Sequence, residues 1–254
     1  MLISNQPHLL ATQEFINGCN IQSEAARKQL FDWSTGIYTL GLWNSMVCWP
    51  LRSSQNAGVE DKVFSLGVLG RSHATLVNIP TRGADGIALN GTNQYINSNF
   101  IPPMNDNCYY FTVARRTGGA YGDVIASGNN EQFIFTPRTD GGGVVGVFDT
   151  TFRGSTNADT STSFTARSLF KNSTNGTKGY LNTTQYVNLS YSAPFNTAAT
   201  PLLFGARNLA APGIFLTGDI SFVMAIRDIT ADEAFNTAIY NLYKNTIGQG
   251  LSLP

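Results

Sequence analysis

Two histidines, His8 and His73, and three cysteines, Cys19, Cys48 and Cys108, are the soft metal ligands of this 254-residue chain. A zinc site needs such residues clustered so that four donors converge on one ion. Here they stand singly, and no zinc centre is expected. Three cysteines leave one over from any disulfide and none forms a C-x-x-C pair, so buried free thiols are expected. Nucleophilic chemistry has no better footing. No serine occupies a G-x-S-x-G elbow. The stretch "TDGGGVVG" lacks the lysine and the strand–loop–helix setting of a phosphate loop.

Sugar binding has better materials. A saccharide site combines an exposed aromatic platform with hydrogen-bonding Asn, Asp and Arg side chains, often on loops. "GGAYGD", with Tyr121, and "DTTFRGSTNAD", with Phe152, Arg153 and Asn157, have that composition. These four are the candidate carbohydrate-binding residues. The plainer reading of both stretches is a solvated loop.

The elements that would carry such loops read mostly as strands. "CYYFTVARR", "GDVIASG", "QFIFTPR", "GVVGVFD", "RSLFKNS", "KGYLNTTQY" and "PLLFGAR" are short apolar runs separated by turn residues, the pattern of an antiparallel sandwich or barrel. "GIALNGTNQYINS" predicts a hairpin, because Asn-Gly is the strongest short turn signal. In "GDISFVMAIRDITADEAF", alternation puts Ile220, Phe222, Met224 and Ile226 on one strand face and Ser221, Val223, Ala225 and Arg227 on the other. Apolar residues on both faces suit a central strand covered on both sides. Thr230 and Glu233 then stand as a capping box, so a helix begins there, and Gly248 ends it.

The first fifty residues differ. "NIQSEAARKQLFDW" predicts a helix capped by Asn20, with Ala26, Leu30 and Trp33 on one face. "STGIYTLGLWNSMVCWP" predicts a second, capped by Ser34 and closed by Pro50. Trp33, Trp43 and Trp49 imply a large apolar contact. Either the helices pack on the sandwich, or these aromatics are a docking or oligomer contact, since aromatic anchors dominate interfaces. The expected organisation is a helical N-terminal part over residues 1–50, an ordered connection over 51–74 and a sandwich over 75–254.

Composition narrows the partners. The chain is 42% hydrophobic, so a full core can be buried, and only 13% charged with zero formal net charge. Nucleic-acid binding needs clustered Lys and Arg, so it is not expected. No run approaches the roughly 18–20 apolar residues of a membrane helix. "MLISNQPHLLATQEF" lacks a basic stretch followed by an apolar one, so no secretion signal is read.

The order of these pieces resembles the laminin G-like branch of the concanavalin A-like lectin/glucanase superfamily over roughly residues 75–247. "GIALNGTNQYI" matches an early strand of that branch, "KGYLNTT" a later hairpin and "PLLFGARN", with Gly205, the next strand. "GDISFVMAIRDITADEAF" matches its closing signature through Gly218, Ile220, Ile226, Ile229 and Thr230. The resemblance implies a mainly β, antiparallel jelly-roll sandwich with lectin-like function. Glucanases of the superfamily need strand carboxylates at alternate positions, about 5–5.5 Å apart. Glutamates occur only at 14, 24, 60, 131 and 233, none with a carboxylate two residues away, so no enzyme activity is expected. Some laminin G-like modules bind calcium at the sandwich rim, and Asp123, Asp140, Asp149 and Asp159 lie near turns. They lack the dense spacing of a calcium loop, and the expectation is no cofactor.

The run "SEAARKQLFDWSTGIYTLGLWNSMVCWPLRSSQN" ahead of a lectin-like part resembles the layout of tailed-phage virion proteins. That layout implies a structural virion protein (fibre, spike or head-surface appendage) assembled in the host cytoplasm. Its implied partners are other virion proteins, further copies of itself with a trimer favoured, and host surface glycans. The alternative is a soluble carbohydrate-binding module with no virion role.

Overall fold

A computed structural model describes residues 6–69, 73–101, 107–120, 122–127, 133–136, 144–148, 152–155, 161–172, 174, 176–190, 200–207 and 211–254. At 126–127, 133–136, 144–148 and 152–155 it describes the backbone only.

Two helices open the chain. Helix α1 (Pro7–Gly18) starts on Pro7, whose fixed φ suits a first helical turn. Helix α2 (Glu24–Thr39) is capped by Ser23, whose hydroxyl accepts from the Ala26 N–H, rather than by Asn20. It runs straight through the expected boundary at Ser34. The second predicted helix does not form: after α2 a short 3-10 turn (Trp43–Ser45) leads into strand β1 (Met46–Pro50). Met46 and Cys48 face one hydrophobic cluster while Val47 and Trp49 face another, so the segment is apolar on both sides. Such a run has no periodicity to tell a buried strand from a helix.

The remaining strands follow in chain order. They are β2 (Lys62–Val63), β3 (Leu66–Gly67), β4 (Ala74–Val77), β5 (Thr81–Arg82), β6 (Ile87–Asn90) and β7 (Tyr95–Asn97). Next come β8 (Cys108–Arg116), β9 (Ile125–Ser127), β10 (Phe133–Thr136), β11 (Val144–Phe148) and β12 (Phe152–Ser155). The last five are β13 (Thr165–Asn172), β14 (Gly176–Leu181), β15 (Thr184–Leu189), β16 (Leu202–Phe204) and β17 (Thr217–Arg227). Helix α3 (Glu233–Asn245) then begins on Asp232, whose carboxylate accepts from the Phe235 N–H at 2.8 Å.

Among the described residues the first sheet runs β15-β14-β13-β8-β17-β1-β3, with β6 beside the start of β17 and β5 beside β6. The second runs β12-β11-β10-β9-β16-β7-β4-β2. All of these pairings are antiparallel. The expected β-sandwich with a C-terminal helix is present. The Asn90-Gly91 hairpin is not: β6 pairs with β17 in the first sheet and β7 with β4 and β16 in the second, so the loop crosses between sheets. The Asn90 side chain holds that loop, its Oδ1 accepting from the N–H groups of Thr92, Asn93 and Gln94.

Strand β17 is central, as its composition predicts, but its faces are not those of simple alternation. The register against β8 shifts between Ile220 and Phe222. Ser221 and Phe222 both turn toward α3: Ser221 Oγ lies 3.2 Å from Tyr243 Oη, and the Phe222 and Tyr243 rings are 4.9 Å apart. The bulge moves Ile220 to the opposite face, with Val223 and Ala225. It also divides the flank of β17, with β6 pairing before it and β1 after it.

Two cores result, on opposite sides of the first sheet. One joins that sheet to the helices through Trp33, Phe111, Phe222 and Tyr243. The other fills the space between sheets through Trp49, Tyr110, Ile125 and Phe204. Trp33, Trp43 and Trp49, read from the sequence as either packed on the sandwich or docking contacts, are 0%, 2% and 0% exposed within this chain. Trp33 packs edge-on against Phe222 at 5.3 Å, and Trp49 against Phe204 at 5.2 Å.

Candidate functional site

Three segments remote in sequence meet at one end of the first sheet. They are the approach to β13 (Ser161, Ser163, Phe164, Thr165), the β14–β15 hairpin (Leu181, Asn182, Thr184, Tyr186) and the C-terminal tail (Ser252, Pro254). Together they line an open cleft of about 500 Å³. Its walls are hydroxyls, a carboxamide and two aromatic rings.

Each wall is fixed by hydrogen bonds. Asn182 has the left-handed φ of 54° and leads the two-residue turn between β14 and β15. Its N–H donates to the Ala166 carbonyl at 2.8 Å, and its Oδ1 accepts from the Ala166 N–H at 3.0 Å. The turn is thereby stitched to β13. The Asn182 carbonyl accepts from Nδ2 of Asn236 on α3 at 3.2 Å. Asn236 is fully buried, and its Oδ1 accepts from Tyr109 Oη at 2.8 Å and Ser168 Oγ at 2.5 Å. The tail is pinned by buried Leu251 and Leu253, and the Pro254 carbonyl accepts from Tyr240 Oη and Lys244 Nζ.

Burial, followed by the charges of Glu233 and Asp232 at the start of α3, pushes the Tyr180 hydroxyl up to about 12. Tyr180 Oη donates to Gln185 Oε1 at 3.3 Å, beneath the hairpin. Arg115 lies 4.6 Å over the Phe164 ring, but its guanidinium is held by Asp219 at 2.6 Å and Asp85 at 3.5 Å.

The sequence singled out other residues. Tyr121 and Asn157 lie outside the described residues, and Phe152 and Arg153 are described only as backbone of β12. Of the turn aspartates, Asp123 is fully buried and its carboxylate is bound by Arg207 at 2.6 Å and 3.3 Å. Asp140, Asp149 and Asp159 lie outside the described residues. Among the described residues no three His, Cys, Asp or Glu side chains group as metal ligands, and Cys19, Cys48 and Cys108 are buried thiols. No helix is long and apolar enough to cross a membrane.

Sequence reasoning missed the cleft because none of its three segments carries a motif. Tyr186 was the available signal: an aromatic among Thr and Asn residues on an edge strand, 36% exposed.

No protein family matches the chain, and no curated protein does. Solved structures do. A Trypanosoma rangeli sialidase in complex with sialic acid aligns with a TM-score of 0.59 at 8% identity, over 79% of this chain and 33% of the sialidase. The same organism's sialidase with 2-keto-3-deoxy-D-glycero-D-galacto-2,3-difluoro-nononic acid aligns at 0.60 and 7% identity, over 80% and 33%. A looser likeness, at 0.47 and 12% identity over 77% and 87%, is to domain 4 of AbnA, an extracellular arabinanase of Geobacillus stearothermophilus, with arabinotriose. The sialidase alignments show the β-sandwich fold, and the chain spans about a third of those proteins' length.

Proposed function

We propose that this chain is a lectin-like, non-catalytic glycan-binding protein and that the cleft beside Tyr186 is its binding site. The observation that carries the reading is the cleft itself. An exposed aromatic ring stands beside an amide and several hydroxyls on walls fixed from below, the combination that orients a polyol in a preformed site. The architecture is one that a sialidase in complex with sialic acid also contains. None of the described lining residues carries a side-chain carboxylate, so the Asp/Glu pair of glycoside hydrolysis is not among them. A glycan array probed with the full-length chain tests the reading. Retention of at least one glycan class, weakened by Tyr186→Ala, is the expected result; an array with no retained glycan overturns it.

The biological setting we propose is the surface of a tailed-phage particle, as a fibre, spike or head appendage built from several copies. Supporting it are the helical run ahead of the sandwich, the zero net charge and the three buried cysteines, none in a disulfide. Mass spectrometry of purified particles should detect the chain. Its absence there removes the virion setting and leaves a soluble glycan-binding module.

A further inference from the structure

We infer that the cleft selects neutral saccharides and rejects acidic ones such as sialic acid; this rests on the glycan-binding reading above. The described polar side chains on its walls are Ser, Thr, Asn and Tyr, each able both to donate and to accept. That dual character matches sugar hydroxyls, which do the same. A carboxylate ligand instead needs charge-assisted donors, above all a forked guanidinium. Two placed guanidiniums adjoin the cleft: Arg115 serves two carboxylates and stacks on Phe164, itself part of the cleft wall, and the fully buried Arg167 donates from Nη1 to the Ala114 and Thr165 carbonyls. Lys244 is engaged by the Pro254 carbonyl.

The ring of Tyr186 supplies the apolar half of the recognition. A pyranose presents one face of C–H groups, and an aromatic ring with a polar tip suits a ligand that is apolar on one face and polar at its rim. Thr184, two residues earlier on the same strand and separated from Tyr186 by a shift of register against β14, also lines the cleft. The walls need no ligand-induced closure, because Asn182, Asn236 and the tail already fix them.

The experiment is calorimetric titration of the full chain with lactose, maltotriose and mannotriose, and with the 2,3- and 2,6-linked sialyllactoses. Sialyllactose is lactose with one acidic residue added, and the neutral trisaccharides maltotriose and mannotriose control for its added bulk. A neutral sugar is expected to bind, with sialyllactose at least about tenfold weaker than lactose. Tyr186→Ala should weaken the neutral ligand by about fivefold or more. Thr184→Val, which removes a hydroxyl at nearly constant volume, should weaken it while leaving the thermal midpoint unchanged. Binding of the sialylated sugars alone overturns the selectivity and leaves the glycan reading standing. Neutral binding untouched by both substitutions overturns this assignment of the cleft. No binding to any sugar here or on the array overturns the glycan reading itself.

Discussion

Tyr109 donates its hydroxyl to Oδ1 of Asn236 at 2.8 Å, tying the middle of the first sheet to α3 across 127 residues of sequence. Both side chains are fully buried, so the bond is sheltered from water, and Ser168 shares the same acceptor. Asn236 also reaches the turn that forms the cleft wall.

Asn236→Ala should therefore destabilise the protein by about 2–4 kcal/mol, since it orphans two buried hydroxyls and opens a small cavity. Urea denaturation measures this. Adding Tyr109→Phe to the same variant should recover part of the loss by removing one of the stranded groups. A variant as stable as the parent would show that the network is solvated.

Deletion of residues 1–50 should give an insoluble chain. It removes α1, α2 and β1 together, stripping the flank of β17 after Ser221 and uncovering the helix-side core. Trp49→Ala, milder, should cost about 3–5 kcal/mol through the cavity it leaves beside Phe100 and Phe204. Light scattering of the soluble Trp49→Ala protein should show the parent's particle size. A soluble deletion variant with β-sheet circular dichroism would contradict the packing.

His8 should make stability fall with acidification. Its ring stacks on Tyr38 at 4.1 Å, neither nitrogen has a hydrogen-bond partner, and burial holds its pKa below the ordinary 6.5. Below pH 6.5 the unfolded chain takes up a proton that the folded one resists. The contribution is thus present above about pH 6.5 and is lost as the pH drops through that value. Comparing urea midpoints at pH 7.5 and 5.5, the parent should lose more than His8→Phe. Equal losses would show that His8 is not the group responsible.

Asp123→Asn should cost about 3 kcal/mol, because it leaves the Arg207 guanidinium facing an uncharged amide at a fully buried position. Thermal denaturation checks it, and a change within about 0.5 kcal/mol would show the pair to be energetically idle.

Much of the fold could be read locally. "CYYFTVARR" and "GDISFVMAIRD" fall on strands β8 and β17, and an acidic cap starts α3 two residues after the expected one, on Asp232 instead of Thr230. What failed was pairing. Met46–Pro50 looks helical by continuity with α2, yet its backbone is satisfied by β17 and β3. Ile220 changes face because of one bulged residue, which no alternation rule can place.

The sequence by itself determined that the chain would build antiparallel strands, bury its aromatics and finish on a capped helix, because those follow from side-chain shape and local hydrogen bonding. Only the tertiary structure decided where each strand found its partner, and hence which residues share a surface. Ser163, Tyr186 and Pro254 meet in one cleft although Ser163 and Pro254 are remote in sequence, one at the approach to β13 and the other in the C-terminal tail. Their meeting depends on β13 pairing with β14 and on the tail folding back over α3, contacts that arise from burying distant surfaces together and leave no mark in any one segment.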